Sequence, residues 1–273
     1  MIVAALMGNS GTAFLMYHEL SLPGRRTCHR EPGYTRYVVS ALDFHSQMKR
    51  LADDGWRGLN VSQAIQSFGA KNVCITFDDG CETDLISAAP VLKELGFGAT
   101  SYITVEFLGQ PGYMSQAQVR ELHSLGFEIG CHSMTHPYLT DVDDARLRNE
   151  TAGAKDRLEQ IAGLRVDHYS CPGGRWDARV RTAVQHANFQ TMATSTTGLN
   201  FAGTDRYALS RVAILDGASS EQVLRICKGQ GLVLTQLKEK TRQAARRVLG
   251  NKQYDAVREF ILGEKQKTDS APH

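Results

Sequence analysis

No apolar run in this 273-residue chain approaches the length of a bilayer-spanning helix. The first eight residues, MIVAALMG, are apolar but too short for a signal core, and no basic stretch precedes them. A cytoplasmic placement is the expectation. A strong excess of one charge is also lacking. The formal net charge is +2, which excludes a whole-molecule electrostatic nucleic-acid binder, so no nucleic-acid partner is expected. Cysteine is present six times but never as C-x-x-C. Cys28, Cys74, Cys81, Cys131, Cys171 and Cys227 read as small buried or near-site residues of a reducing compartment, not as a disulfide framework. Internal repeats are absent as well.

What is present fits one α/β domain of barrel size. An apolar fraction of 42% and a charged fraction of 22% are ordinary for a globular protein. Short apolar runs alternate with helical periodicity. Strands are predicted at 13–17, 72–77, 98–104, 127–131, 165–170, 190–194 and 211–214. Helices are predicted from a Ser40 cap to about Asp54, over 61–68, near 82–95, from Ser115 to before Gly126, from Asp141 to Ile161, over 177–187 and from Ser219 or Ser220 to Cys227. Alternation at this spacing argues for parallel strands with crossover helices, closed more readily into a barrel than left as a small open sheet. Residues 1–231 are therefore read as the barrel domain and 232–273 as a helical extension packed on it, with frayed last residues. Between Lys228 and Lys267 there are ten Lys/Arg against four Asp/Glu. That excess reads either as a solvated helical face or as a docking surface for an anionic membrane or an acidic partner.

Two stretches carry chemistry. Val73-Cys74-Ile75-Thr76-Phe77 is a buried strand ending in Asp78-Asp79-Gly80. Adjacent carboxylates repel unless a cation or hydrogen-bond donors hold them, although Asp-Asp-Gly is also a common exposed turn. The second stretch is Cys131-His132-Ser133-Met134-Thr135-His136-Pro137. Two histidines four apart on a helical turn would face the same way, as surface residues or as ligands of one metal. One Asp and two His leave coordination positions open, the pattern of a hydrolytic rather than a structural metal.

T-F-D-D-G at 76–80 followed by H-S-x-x-H-P at 132–137 resembles the polysaccharide deacetylases, the family four carbohydrate esterases, over roughly Phe14 to Ile214. The resemblance implies a distorted (β/α) barrel and a divalent metal, usually zinc, with other divalent transition metals possible. It implies Asp79, His132 and His136 as ligands and Asp78 as general base. The family's usual L-x-H histidine has its nearest text at Leu232 to Gln236, and glutamine cannot titrate. Phe14-Leu15-Met16-Tyr17-His18 resembles the M-Y-H motif of the poly-N-acetylglucosamine deacetylase-like subgroup, which makes His18 the expected general acid. Tyr169 to Gly174 resembles the third family motif, but Ser170 stands where that motif has an arginine; Arg175 or Arg211 is left as a substitute. Pro172, Gly173, Tyr138, Trp176 and Arg211 are the candidate substrate wall, Tyr138 and Trp176 reading equally as packing. The implied function is removal of N-acetyl groups from an N-acetylhexosamine-containing glycan or glycoconjugate. The alternatives are a deacylase of a small molecule, lipid-linked sugar or non-sugar amide, and a catalytically silent glycan binder of the same fold.

Overall fold

A computed structural model describes residues 11–232 and Gln236. The expected basic helical extension, and with it the domain division at 231/232 and any membrane or acidic partner of that extension, lies outside the described residues. Among the described residues no helix is long and apolar enough to cross a membrane.

The chain opens on strand β1 (Thr12–Tyr17), buried throughout. Short strands β2 (Leu20–Ser21) and β3 (Val39–Ser40) pair with each other and bracket a single turn, α1 (Pro32–Thr35). Then follow α2 (Ala41–Asp53), β4 (Arg57–Leu59), α3 (Val61–Gln66) and β5 (Asn72–Phe77). A π turn at Asp84–Ala88 leads into α4 (Ala89–Glu94), and β6 (Thr100–Ile103), α5 (Gln116–Ser124) and β7 (Glu128–Cys131) come next. Helix α6 (Asp144–Arg148) runs through a second π turn, Asn149–Gly153, into α7 (Ala154–Ala162). The remaining elements are β8 (His168–Ser170), α8 (Ala178–His186), β9 (Thr191–Ala193), β10 (Leu199–Asn200), β11 (Val212–Ala213) and α9 (Ser220–Cys227).

The helix starts follow local chemistry. Ser40, Ser115 and Asp177 each accept a hydrogen bond from the backbone N–H three residues on, as an N-cap does. The long helix expected from Asp141 begins later. Asp143 is its cap, and Asp141 sits in a preceding 3₁₀ turn. Strand β4 was not expected, because three residues are too few to show a period.

The sheet runs β10-β1-β5-β6-β7-β8-β9, with β4 also on β5 and β11 also on β1. All of these pairs are parallel except β1–β10. The sheet curls, and one short segment bridges its two sides. Leu209 exchanges backbone bonds with Met192 and Thr194 of the β9 side, and Ile214 donates to Met16 of β1 at 3.0 Å. The result is a curled, mostly parallel sheet of the distorted (β/α) barrel type.

Strand residues alternate between two apolar layers, as the period of two demands. Ala13, Leu15, Tyr17, Val73, Ile75, Phe77, Ile129 and Cys131 face the surrounding helices. Phe14, Cys74, Tyr102 and Ala193 fill the barrel interior with Leu209. A Cβ on Gly130 would lie 2.4 Å from the Tyr102 ring, so the glycine admits that ring to the interior.

At the amino ends of the strands, the Glu128 carboxylate accepts from Thr100 Oγ1 at 2.6 Å and from the backbone N–H of Val61, and lies 3.3 Å from His168 Nε2. Burial would raise its pKa, but hydrogen bonds and the His168 charge leave it below the usual value. Glu128→Gln is expected to lower stability by about 2–3 kcal/mol near pH 7 in urea unfolding. A depressed carboxyl contributes above its unfolded pKa of about 4.5, so the difference should shrink as pH falls below that value.

Candidate active site

Strand parity places the functional side chains. Inward positions Phe14 and Met16 continue to His18, and Cys74 and Thr76 continue to Asp78. Tyr17 pairs with Phe77, so His18 and Asp78 follow side by side on adjacent strands. The Asp78 N–H donates to Tyr17 O at 3.0 Å and the His132 N–H to Ile103 O at 2.8 Å, extending the ladder by one residue on each strand. Inward parity on β8 delivers Ser170. The site thus forms at the carboxyl ends of parallel strands, inside the barrel mouth.

Asp78 is 2% exposed and held by one group on both oxygens. Arg211 Nη1 donates to Oδ1 at 2.7 Å and Nη2 to Oδ2 at 2.8 Å, a bidentate pair. Arg211 is itself 1% exposed. Its Nε donates to Thr194 O at 2.9 Å, Nη2 also reaches Ser170 Oγ at 2.8 Å, and its plane lies over the Tyr102 ring. Burial would push the Asp78 carboxyl up, but the Arg211 charge, helped by His132 and His18, holds it well below the usual carboxylate range. Arg211 was expected either at the substrate wall or, like Arg175, as the substitute for the missing motif arginine. It takes the second place, behind Asp78 with no surface to offer a ligand, because it sits on the segment that bridges β9 to β1.

Asp79 has φ 79°, a left-handed value that turns its side chain off the strand's alternation. Its Oδ1 is buried without a hydrogen-bond donor and lies 3.6 Å from His132 Nε2 and 3.5 Å from His136 Nε2. His132 Nδ1 is 2.8 Å from Ser170 O. A carbonyl only accepts, so Nδ1 carries the proton and Nε2 presents its lone pair toward Asp79. Burial pushes the His132 pKa down to about 4, so the ring is neutral at pH 7. An orphaned carboxylate oxygen, a neutral imidazole of fixed tautomer and a second imidazole form a donor set that fits a divalent cation, with ligand atoms all within 4.8 Å of one another.

The histidines do not share a helical turn. His132 directly follows β7, and the loop reaches His136 through left-handed Ser133 (φ 71°) and His136 (φ 61°). Glu150, in the π turn after α6, shapes this loop by accepting from the N–H groups of Met134 and Thr135. The Ser133 hydroxyl accepts from His136 N–H at 2.9 Å.

Residues 66–192 match the family model described as polysaccharide deacetylase. The chain contains a polysaccharide deacetylase domain. It is 27% identical over 211 residues to YxkH of Bacillus subtilis (strain 168), named after the same family, covering 75% of this chain and 72% of that one. A crystal structure of a polysaccharide deacetylase from Bacillus cereus superposes with a TM-score of 0.70 at 26% identity, over 80% of this chain and 69% of that one. The poly-beta-1,6-N-acetyl-D-glucosamine N-deacetylase of Staphylococcus aureus (strain MRSA252) is 29% identical over 111 residues, only 36% of this chain and 38% of that protein.

Other expected residues of the deacetylase domain surround the mouth. The His18 ring stands 4.8 Å from that of Tyr37, and its Nδ1 is buried with no hydrogen-bond partner. Pro172 is buried, Gly173 is exposed with φ 60°, and Gly174 (φ 66°) lies where a Cβ would be 2.3 Å from Ser195 Oγ, so only glycine lets the loop pass there. One face of Tyr138 is covered by the Arg175 guanidinium at 3.5 Å, and Trp176 packs on the core. Neither aromatic is a fully open stacking platform. Gln236, in the text nearest to the family's L-x-H motif, donates to Thr197 O at 3.2 Å. Ser170 was read only as a missing arginine; it turns out to touch both Arg211 and His132. The gap in the motif was its signal.

Arg211→Met should strand the buried Asp78 charge and cost about 3–5 kcal/mol in urea unfolding. His132→Ala should release a tightly bound divalent cation from the Asp79 site, read as metal content per chain; unchanged content would remove His132 from the ligand set.

Proposed function

We propose that the domain is a hydrolase that removes N-acetyl groups from an N-acetylhexosamine-containing glycan or glycoconjugate, with a divalent cation, zinc by preference, held by Asp79, His132 and His136. The observation that carries this reading is the division of labour between two neighbouring carboxylates. Asp78 is locked on Arg211, and Asp79 faces two imidazoles without a donor of its own. A purely structural Asp-Asp turn needs neither arrangement. The glycan side of the proposal leans on the activity for which the Staphylococcus aureus relative is named.

Amide hydrolysis needs a base for the attacking water, stabilisation of the oxyanion and a proton for the departing amine. When bound, the cation would supply Lewis-acid polarisation and make water more acidic. The chain's own residues supply the rest. Asp78 is held ionised with its oxygens fixed by Arg211 and Ser170, so it accepts the water's proton without reorienting. That fixed geometry offsets its low basicity, since the acceptor is charged and aligned at all times. His18 stands beside it on the next strand and is assigned the opposite transfer, donating to the amine nitrogen as the C–N bond breaks. The left-handed glycines Gly173 and Gly174 let the loop pass close against Tyr138 and Ser195 at the mouth.

The test is acetate release from a panel of N-acetylated oligosaccharides and lipid-linked sugars, with and without chelator. Chelator-sensitive release is expected. Asp78→Asn should keep the metal and lose release by roughly 100-fold or more, and His18→Ala should spare metal binding while slowing turnover by a similar factor. Full activity in Asp78→Asn would end its role as base. No release from any substrate would favour a binder of the same fold.

A further inference from the structure

A second cluster of ligand atoms lies one residue beyond the Asp-Asp-Gly turn. Glu19, Cys28 and Cys81 bring a carboxylate oxygen and two sulfurs within 4.8 Å of one another. Three separate parts of the chain meet here: Glu19 just past the end of β1, Cys28 in the loop between β2 and α1, and Cys81 just past the end of β5. Cys81 is fully buried and Glu19 is 1% exposed.

Glu19 is the unusual member. Its Oε2 accepts from Cys28 N–H at 2.9 Å and from the Tyr34 hydroxyl at 3.0 Å. Among the described residues, no Lys, Arg or His forms an ion pair with it. Neutral donors alone seldom compensate a buried carboxylate, which calls for a cation nearby. The sulfurs supply the second observation. Cys28 Sγ and Cys81 Sγ are 3.8 Å apart. Two thiolates on one tetrahedral zinc with bonds of about 2.3 Å sit ~3.8 Å apart, whereas a disulfide needs about 2.05 Å. The site is also shaped around Cys28. Gly112 (φ 94°) lies where a Cβ would come within 2.6 Å of Cys28 Sγ, so glycine leaves the sulfur its place. Tyr34 completes the group, its hydroxyl 3.0 Å from Glu19 Oε2 and 3.6 Å from Cys81 Sγ.

We propose that Glu19, Cys28 and Cys81 form a second, thiolate-rich metal site that takes a thiophilic divalent cation, zinc foremost, separate from the Asp79–His132–His136 centre. Binding displaces the two thiol protons to solvent and changes no oxidation state. One carboxylate and two thiolates suit a soft or borderline cation and disfavour magnesium or calcium. The cation ties the 22–31 loop to the ends of β1 and β5, the two strands that carry His18 and Asp78. Its role is structural: it clamps the rim of the catalytic mouth.

The full-length protein, prepared under reducing conditions, is stripped with chelator, reloaded with Zn²⁺ and counted for tightly held metal. Wild type should hold one zinc more than either His132→Ala or Cys28→Ser/Cys81→Ser. The His132→Ala protein should keep its remaining zinc, and that zinc should shield two thiols from an aromatic disulfide reagent until chelator is added. Reloading wild type with Co²⁺ should give a thiolate-to-cobalt charge-transfer band, which needs no variant to fold. The inference is overturned by a His132→Ala protein that holds no zinc. It is equally overturned by a metal count unchanged in Cys28→Ser/Cys81→Ser, by a cobalt spectrum without the charge-transfer band, or by two thiols missing from the denatured, unreduced chain, which would mark a disulfide.

Discussion

The buried pair between Arg211 and Asp78 is the constraint around which the barrel is arranged. A carboxylate 2% exposed cannot stay ionised without a matched cation, and a guanidinium 1% exposed cannot stay buried without a matched anion. Each group therefore dictates where the other's backbone must run. Asp78 is fixed by β5, so Arg211 must enter the barrel from the segment that joins β9 to β1. The same stretch of chain that closes the curled sheet carries the cation, and closure and site electrostatics are one structural event. Tyr102 beneath the guanidinium and Thr194 O on its Nε complete the socket. A lysine could neutralise Asp78 but could not hold both oxygens in a plane.

Once Asp78 is taken by Arg211, its neighbour is free to differ. The left-handed backbone at Asp79 breaks the alternation that would otherwise point it at the outer helices. Asp tolerates this conformation better than most residues, and such strain is common at sites where position matters more than stability. The same device recurs at Ser133 and His136, so the loop bearing the second imidazole is bent by the same means as the turn bearing the carboxylate. Ser170 links the halves. Its carbonyl fixes the His132 tautomer while its hydroxyl oxygen accepts a hydrogen bond from Arg211.

Much of this was legible in the sequence. The strand before Asp78, the caps at Ser40 and Ser115, and the two motifs at 76–80 and 132–137 are local patterns, and local patterns read well. What was misplaced or left open depends on long-range pairing. Arg211, 133 residues from Asp78, could be named only as one of two substitutes for the missing arginine, because nothing near it announces a buried guanidinium. The spacing of His132 and His136 suits a helical turn, yet two left-handed residues bring the rings together without one. The π turns at Asp84–Ala88 and Asn149–Gly153 are likewise invisible to a 3.6-residue period, and the second of them carries the Glu150 that shapes the histidine loop.

The buried acids give a single rule for the catalytic half of the molecule. Among the described residues, Glu19, Asp78, Asp79, Asp84 and Glu150 are the buried carboxylic side chains. Asp78 is balanced by Arg211. Glu150 takes two backbone N–H donors and a hydroxyl, with Arg146 at 3.6 Å. Asp84 is pushed well above its ordinary pKa, burial leading, and accepts from Ser101 Oγ at 2.6 Å. That leaves Asp79 and Glu19, and each stands within a cluster of His or Cys ligand atoms. Charge balance in a low-dielectric interior thus gives a common physical reason for the two clusters, one of imidazoles and one of thiols, to stand on either side of Gly80.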